Sequence, residues 1–296
     1  QSLTMRTIIN GEEVRRTYSI CSSPSDKKLQ VAIKKAAGGI FSTFANEQLK
    51  QNDILEVMQP VGKFYVELNP ANKKNYLGIA AGSGITPLIS IIKTTLQTEP
   101  RSSFTLLYGN KTRSSIIFFE ELEGLKNKYL QRFNFINVLS RERTDSTINF
   151  GRINTEKLIE LQKLIDYTSF DETFICGPEE MIFLAKDYLE KKGIDKKKIH
   201  FELFTTPGQK KSRVRSKEPG VETGPTSKIT VKLDGRSFDF DLPFNSDVTI
   251  LDAALKKGAD LPFACKGGVC CTCKAKLLEG EVSMDVHWGL EDEEVE

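Results

Sequence analysis

Residues Cys265-Lys266-Gly267-Gly268-Val269-Cys270-Cys271-Thr272-Cys273 place four of the chain's six cysteines within a single short stretch. Cys265, Cys270 and Cys273 stand in C-x4-C-x2-C spacing, which lets three thiolates meet on a small [2Fe–2S] cluster if the chain wraps around it. Gly267 and Gly268 leave the backbone free to take the unusual φ that wrapping requires. Two other chemistries use clustered cysteines, a zinc knuckle and a disulfide knot. Zinc takes paired C-x2-C units or Cys/His pairs; one such unit is present here, and His287 is a poor partner for it. An iron–sulfur loop therefore accounts for the spacing better than either, and Cys271 is expected to be an extra thiol held by local packing.

The surrounding run, ACKGGVCCTCKAKLLEGEVSMD from Ala264 to Asp285, resembles the plant-type ferredoxin domain of oxygenase reductases such as the phenylacetyl-CoA epoxidase reductases. These are members of the ferredoxin-NADP reductase superfamily. The resemblance implies a fourth cysteine ligand further on, past an acidic stretch like Leu290-Glu291-Asp292-Glu293-Glu294. The sequence ends at Glu296 before any such cysteine; either it is a piece of a longer chain, which is the expectation, or the cluster lacks a ligand.

A chain of 296 residues is long enough for two or three domains. With 42 Lys and Arg against 40 Asp and Glu, the formal net charge is +2, which argues against a nucleic-acid partner. No apolar run approaches the roughly 18–20 residues of a membrane span. Clustered cysteines, with nothing at Gln1 that reads as a secretory signal, point to a reducing cytoplasm and bound metal.

The first segment, residues 1 to 69, reads as strands: Leu3 to Ile9, Glu12 to Cys21 and Leu29 to Lys35. The dipeptide Asn10-Gly11 is a hairpin signal between the first two. Gly38-Gly39 precedes a helical run from Phe41 to Leu49, and a short strand follows through Ile54 to Val57. This pattern predicts a small antiparallel barrel, and its opening inside a strand predicts a truncated start. Arg16-Thr17-Tyr18-Ser19 offers a guanidinium fork suited to a phosphate, an aromatic face and a hydroxyl. It resembles the superfamily's R-x-Y-S flavin motif, and Gly39-Ile40-Phe41-Ser42 resembles its G-x-x-S pyrophosphate cradle at a helix start. The resemblance implies FAD held by these residues, with Lys34 in the same set. An ordinary edge strand and a plain glycine loop are the alternatives.

From residue 70 to 207 strands alternate with helices, which means a doubly wound parallel sheet with ligands at the strands' carboxyl ends. Strands are predicted at Tyr76–Ala81, Phe104–Tyr108, Phe133–Leu139, Thr173–Cys176 and Ile199–Phe204. Helices are predicted at Leu88–Leu96, Ile116–Tyr129, Thr155–Ile165 (capped by Asn154) and Glu179–Glu190. Gly82-x-Gly84-x-Thr86-Pro87 after the first strand is a shortened glycine turn that lets a pyrophosphate approach backbone N–H groups. Tyr108-Gly109-Asn110, Ser140-Arg141-Glu142 and Cys176-Gly177-Pro178-Glu179-Glu180-Met181 follow later strands, and each resembles a nicotinamide-binding loop of the family. That likeness puts Cys176 beside the nicotinamide and Phe204 and Thr205 near the flavin. A small buried Cys and a core-facing Phe are the structural alternatives. Arg141, with Ser140 and Arg113, suits the 2′-phosphate of NADP(H), whereas Glu142 favours the bare ribose of NAD(H); the preference expected is NADPH.

Between Pro207 and Ser227 the periodicity vanishes into a polar, Pro/Gly-punctuated linker, taken as residues 208–226. The last segment, 227–296, reads as a hairpin (Ile229–Leu233, Asp234-Gly235, Ser237–Phe240), a helix Val248–Lys256 capped by Asp247, the cysteine loop, a return strand Lys274–Leu278 and an acidic, disordered tail. This order fits a β-grasp ferredoxin. The resemblance as a whole implies an NAD(P)H-dependent reductase. Ser19, Cys176 and Phe204 would lie at the hydride-transfer point, and FAD and the cluster would pass single electrons to a partner oxygenase. A metal-binding sensor on a relic nucleotide fold is the rival from another class.

Overall fold

The computed structural model describes residues 1–204, 225–244 and 247–295. It divides into two compact units, Gln1–Thr205 and Thr206–Glu296. Thr205 and most of the expected linker lie outside the described residues.

In the first unit β1 (Ser2–Ile9) and β2 (Glu12–Ser19) form the expected hairpin. Asn10 and Gly11 both take positive φ, 53° and 82°, the conformation a two-residue turn needs to match strand twist. A two-residue β3 (Glu56–Val57) pairs with the other side of β1. The strand expected at Leu29–Lys35 is extended chain that touches the sheet at one bridge, Ile20 to Val31. Helix α1 (Ile40–Glu47) drops Phe41 into a cluster with Leu3, Met5, Ile9 and Val14, so the β1–β2 hairpin and the Gly39 turn are held by one small core.

The remainder of this unit is a five-stranded parallel sheet. Its strands are β4 (Asn75–Ala81), β5 (Ser103–Asn110), β6 (Phe133–Leu139), β7 (Glu172–Cys176) and β8 (Ile199–Glu202), in the order β6-β5-β4-β7-β8. Order reverses at β4, which pairs with β5 on one side and β7 on the other; this is the switch point where doubly wound sheets bind ligands. Tyr76, Leu77, Ile79 and Ala80 are fully buried, the continuous apolar run of a strand covered on both faces. Helix α2 (Ile85–Thr98) lies on it through Leu88, Ile89 and Ile92, each such side chain contributing about 1.5–3 kcal/mol on burial. Gly78 permits that contact, since a Cβ there would sit 2.7 Å from Leu88 Cδ2. Helices α3 (Phe119–Lys128), α4 (Thr155–Leu161) and α5 (Glu179–Lys191) complete the layers. Helix α3 starts three residues later than expected because Ile116 is extended and Phe118 adopts φ 61°. Helix α4 stops at Leu161, short of Ile165, and Asn154 caps it as expected by accepting from the Lys157 N–H.

The second unit has a hairpin of β9 (Thr226–Leu233) and β10 (Arg236–Pro243), turned by Asp234 and Gly235 at positive φ. Helix α6 (Ile250–Lys256) packs on it through Ala254, beside Phe240, Ala259 and Leu261. Its cap is Thr249, whose hydroxyl accepts from the Asp252 N–H, and not Asp247. Residues 274–278 form no ladder, and the expected disordered tail includes a short helix, α7 (Asp292–Val295). That helix is tied back by an ion pair between Lys274 and Glu294.

Candidate cofactor sites

At the switch point the ends of β4 and β7 meet with almost no space between them. A Cβ on Gly84 would fall 2.0 Å from the Cys176 carbonyl oxygen, so only glycine fits. Gly82 takes φ 54°, and its carbonyl accepts from the Tyr108 hydroxyl at 2.8 Å. Burial pushes the Tyr108 phenol up, which keeps it a donor. Thr86 Oγ1 donates to the Ser83 carbonyl and Pro87 stands in the first turn of α2. No side chain caps that helix start; a 3-10 turn over Gly82–Gly84 leads into it, with the Ile85 N–H bonded to the Gly82 and Ser83 carbonyls, and a helix start after a glycine turn suits a phosphate. A glycine cradle that a Cβ would fill and an uncapped helix end fit a dinucleotide.

Further along the same edge, the loops after β5 and β6 are joined by backbone. The Ser140 N–H donates to the Asn110 carbonyl at 2.9 Å and Arg141 N–H to Lys111 at 2.9 Å. Glu142 accepts the Arg113 N–H at 2.8 Å, so one of its carboxylate oxygens is occupied by protein. The Arg113 and Arg141 side chains are exposed, with Arg113 lying over the Phe119 ring at 4.8 Å. Arg113, Ser140 and Arg141 are thus on adjoining strand ends.

The third group gathers around Cys176. This thiol is fully buried, and burial, with the Glu202 charge behind it, pushes it well above its ordinary value. Gly177 leaves room for Met181, whose Cε would lie 2.7 Å from a Cβ there, and Pro178 precedes α5. Pairing of β7 with β8 sets Cys176 opposite Glu202, and Ser19 Oγ donates to Glu202 Oε2 at 2.8 Å. Burial raises the Glu202 carboxyl, and the Ser19 hydrogen bond opposes that. The flavin-motif serine and the nicotinamide-loop cysteine therefore share a neighbour, although 157 positions separate them in sequence. Phe201-Glu202-Leu203-Phe204 resembles the family's strand-end motif, but the sequence reading gives a role there to Phe204 and Thr205 and none to Glu202. Phe204, at the edge of the described residues, is 42 % exposed.

Tyr18 stands beside Phe41, ring centroids 5.7 Å apart, and is half-buried. Arg16 is exposed and donates to the Arg15 carbonyl at 2.7 Å. A Cβ on Gly39 would strike Ser42 Oγ at 2.4 Å; that hydroxyl accepts the Ala36 N–H at 3.1 Å. Helix α1 also starts without a side-chain cap, which fits a pyrophosphate at Gly39–Ser42. Ile40 and Lys34 are exposed near that end. The motif strand and the cradle, 20 residues apart in sequence, are brought together by Phe41.

In the second unit the Cys265 sulfur accepts backbone N–H groups from Gly267 at 3.3 Å and Cys270 at 3.4 Å, the donor pattern that suits a metal-bound thiolate. Gly268 takes φ 69°, and a Cβ there would meet the Val286 carbonyl at 2.3 Å. The Cys265 side chain hydrogen-bonds Cys270 and, helped by Thr272, lowers the Cys270 thiol to about 5, while Cys265 is raised in turn. Cys271 points elsewhere: its Sγ donates to the Gly289 carbonyl at 2.6 Å. Burial and the Cys270 charge raise the Cys273 thiol; among the described residues, no three metal-ligating side chains converge. The three thiols and the N–H donors suit a [2Fe–2S] cluster in chemistry, but the cage is not closed by protein contacts.

Three family models tile the chain. An oxidoreductase FAD-binding domain matches residues 1–65, an oxidoreductase NAD-binding domain residues 79–187, and a 2Fe-2S iron-sulfur cluster binding domain residues 231–296. Together they define an NAD(P)H-dependent electron-transfer reductase. Over 297 aligned residues, covering 100 % of this chain and 82 % of the relative, the sequence is 47 % identical to a subunit of the 1,2-phenylacetyl-CoA epoxidase of Escherichia coli (strain K12). It is 30 % identical to the ferredoxin reductase component of the 3-ketosteroid-9-alpha-monooxygenase of Rhodococcus rhodochrous, covering 96 % of this chain and 77 % of that one. The ferredoxin-NADP+ reductase of Plasmodium falciparum, solved with 2'P-AMP, superposes with a TM-score of 0.58 at 26 % identity, over 69 % of this chain and 82 % of that one. The chain belongs to the ferredoxin reductase family, among the reductase components of oxygenases. Among the described residues no helix is long and apolar enough to cross a membrane.

Proposed function

We propose that this reductase draws electrons from NADPH and delivers them to an oxygenase of the phenylacetyl-CoA epoxidase type, in the cytoplasm. When bound, FAD would supply a hydride acceptor and a [2Fe–2S] cluster a one-electron relay. The chain's own residues bind and orient. Residues 1–69 form the FAD domain, with Arg16 and Lys34 toward phosphate, Tyr18 against the ring system, and Gly39, Ile40, Phe41 and Ser42 cradling the pyrophosphate. Residues 70–207 form the nucleotide domain. There Gly82, Gly84, Thr86 and Pro87 take the pyrophosphate, Tyr108 and Asn110 border it, and Arg113, Ser140 and Arg141 meet the 2′-phosphate. Cys176, Gly177, Pro178 and Met181 line the nicotinamide end. A linker, 208–226, leads to the cluster domain, 227–296, where Cys265, Cys270 and Cys273 are three of the ligands.

The observation that carries this reading is the Ser19–Glu202 hydrogen bond of 2.8 Å beside Cys176. It makes the end of the flavin motif and the end of the nicotinamide strand neighbours, so two bound cofactors would meet there, with Phe204 beside them. Glu202 holds the Ser19 hydroxyl in one orientation. The preference for NADPH is supported by Glu142, one of whose carboxylate oxygens is engaged by the Arg113 N–H, beside the exposed side chains of Arg113 and Arg141. The acceptor class is supported by the 47 % identity over the whole chain. Another oxygenase as acceptor is the competing reading. The test mixes the purified protein with the epoxidase and with a ketosteroid oxygenase and follows NADPH-coupled product; product with only the second enzyme would overturn the assignment.

A further inference from the structure

The chain that leaves the flavin motif does not run free to the next strand. Directly after Ser19, Cys21 enters the core beneath α2, with Ile85 and Leu88 in the same cluster. Residues 22–26 then lie along one face of α2 and are fastened at three successive points. Ser90 Oγ donates to the Ser22 carbonyl at 2.7 Å. Lys93 Nζ reaches Asp26 Oδ2 at 2.5 Å, and Gln97 Oε1 accepts from Ser23 at 3.2 Å and from Ser25. Positions 90, 93 and 97 share a helix face, so the contacts form one polar seam. Lys93 is its centre and is 8 % exposed. The same ammonium reaches Glu121 Oε1 at 2.8 Å, on the helix that follows the Arg113 loop. One buried cation thus ties together the loop leaving the flavin bed, the helix that opens at the glycine turn, and the helix behind the 2′-phosphate loop.

We propose that Lys93, with Asp26, is a positioning residue for hydride transfer: the seam fixes the spacing between the flavin bed and the nucleotide shelf. Neither side chain is placed at a cofactor. The chemistry favours this over a purely stabilising role. A buried ion pair contributes little net stability against apolar residues of similar volume, and its best-attested use is to fix register. Apolar packing of Cys21 alone leaves the loop free to slide along α2, whereas three directional contacts at one register do not. An error of about 1 Å between reacting groups is enough to slow a reaction about 100-fold. This inference rests on the reading that Tyr18–Ser19 and Gly82–Thr86 hold the two cofactors.

The test compares Lys93→Met, Lys93→Arg and Asp26→Asn in the full chain. For Lys93→Met and Asp26→Asn the expected results are FAD content and NADPH KM within about twofold of wild type, and anaerobic flavin reduction at saturating NADPH slowed about 10- to 100-fold. Lys93→Arg restores most of that rate. A second readout needs no turnover: amide hydrogen exchange across residues 20–26 and 90–97, in protein stripped of FAD, accelerates in Lys93→Met and Asp26→Asn. Wild-type reduction rates in a folded, FAD-loaded variant overturn the proposal. So do losses carried wholly by KM or FAD content, and so does failure of both variants to fold, which would assign the seam to stability alone. If wild-type protein is itself not reduced by NADPH, the functional reading fails and the positioning role falls with it; unchanged exchange in both variants would overturn the seam separately.

Discussion

The crevice at the switch point and the cysteine loop both depend on glycines that no other residue can replace, but they are held in different ways. At the crevice, Gly84 presses against the Cys176 carbonyl inside a core whose strands are fully buried. The sheet register and the buried core hold the backbone of this crevice. At the cysteine loop, Gly268 presses against Val286 in a segment with no strand pairing, and among the described residues no three metal-ligating side chains converge. One site is held by packing; the other is expected to be completed by its metal, as is usual where ligands come from irregular chain.

The largest separation between the two sites is expected from Gly84→Val. A side chain 2.0 Å from backbone forces β4 and β7 apart, destabilising the first unit by about 3 kcal/mol, the upper end for overpacking, and abolishing NADPH binding. Thermal melting and nucleotide titration check it; a variant that binds NADPH normally would remove the crevice as the site. Next in size is iron. Cys265→Ser, or chelation of iron, is expected to unfold or loosen the second unit and abolish electron delivery while leaving NADPH reduction of the flavin within about twofold, since closed metal sites supply folding free energy. Circular dichroism with parallel flavin assays would show it, and equal loss of flavin reduction would contradict it.

Smaller effects sharpen the contrast. Arg141→Asp is expected to move the ratio of kcat/KM for NADPH over NADH about tenfold toward NADH, on the order of 1.4 kcal/mol for one lost charged contact. Unchanged selectivity would take Arg141 out of the 2′-phosphate site. Cys271→Ala is expected to leave iron content unchanged, because that thiol is committed to the Gly289 carbonyl; loss of iron would make it a ligand. The smallest effect is with pH. Burial alone would raise Asp26, but Lys93 and the Ser23 N–H hold it below the ordinary carboxylate value. Its contribution is therefore complete above about pH 4 and fades as acid protonates the folded carboxylate. Burial would lower Lys93, but Asp26 and Glu121 raise it, so its share holds below about pH 10.4 and is lost above that. Melting temperature against pH, with Asp26→Asn as control, would reveal an acid-side difference or its absence.

Much of the crevice was legible because its signals are local. Asn10-Gly11, the apolar run at Tyr76–Ala81 and the glycine turn after it each specify backbone through neighbouring residues. What the sequence left hidden depends on distant pairing. Residues 29–35 have strand-like composition, yet only Val31 finds a partner, and residues 274–278 find no ladder. Thr249 displaced Asp247 as cap because it stands immediately before the first helical turn, where a side chain reaches the Asp252 N–H. Glu202, seen only as part of a strand-end motif, and Lys93 were given no role for the same reason. Their partners lie 183 and 67 positions away, and a buried charge declares itself only once its neighbours are known.

The most direct measurement is anaerobic addition of NADPH to the purified, FAD-loaded protein while its visible spectrum is recorded. Bleaching of the flavin colour within seconds, much weaker or slower in Gly84→Val, is the result this account requires. A spectrum that stays yellow with excess NADPH and with NADH would mean that the two strand ends do not bring the cofactors together.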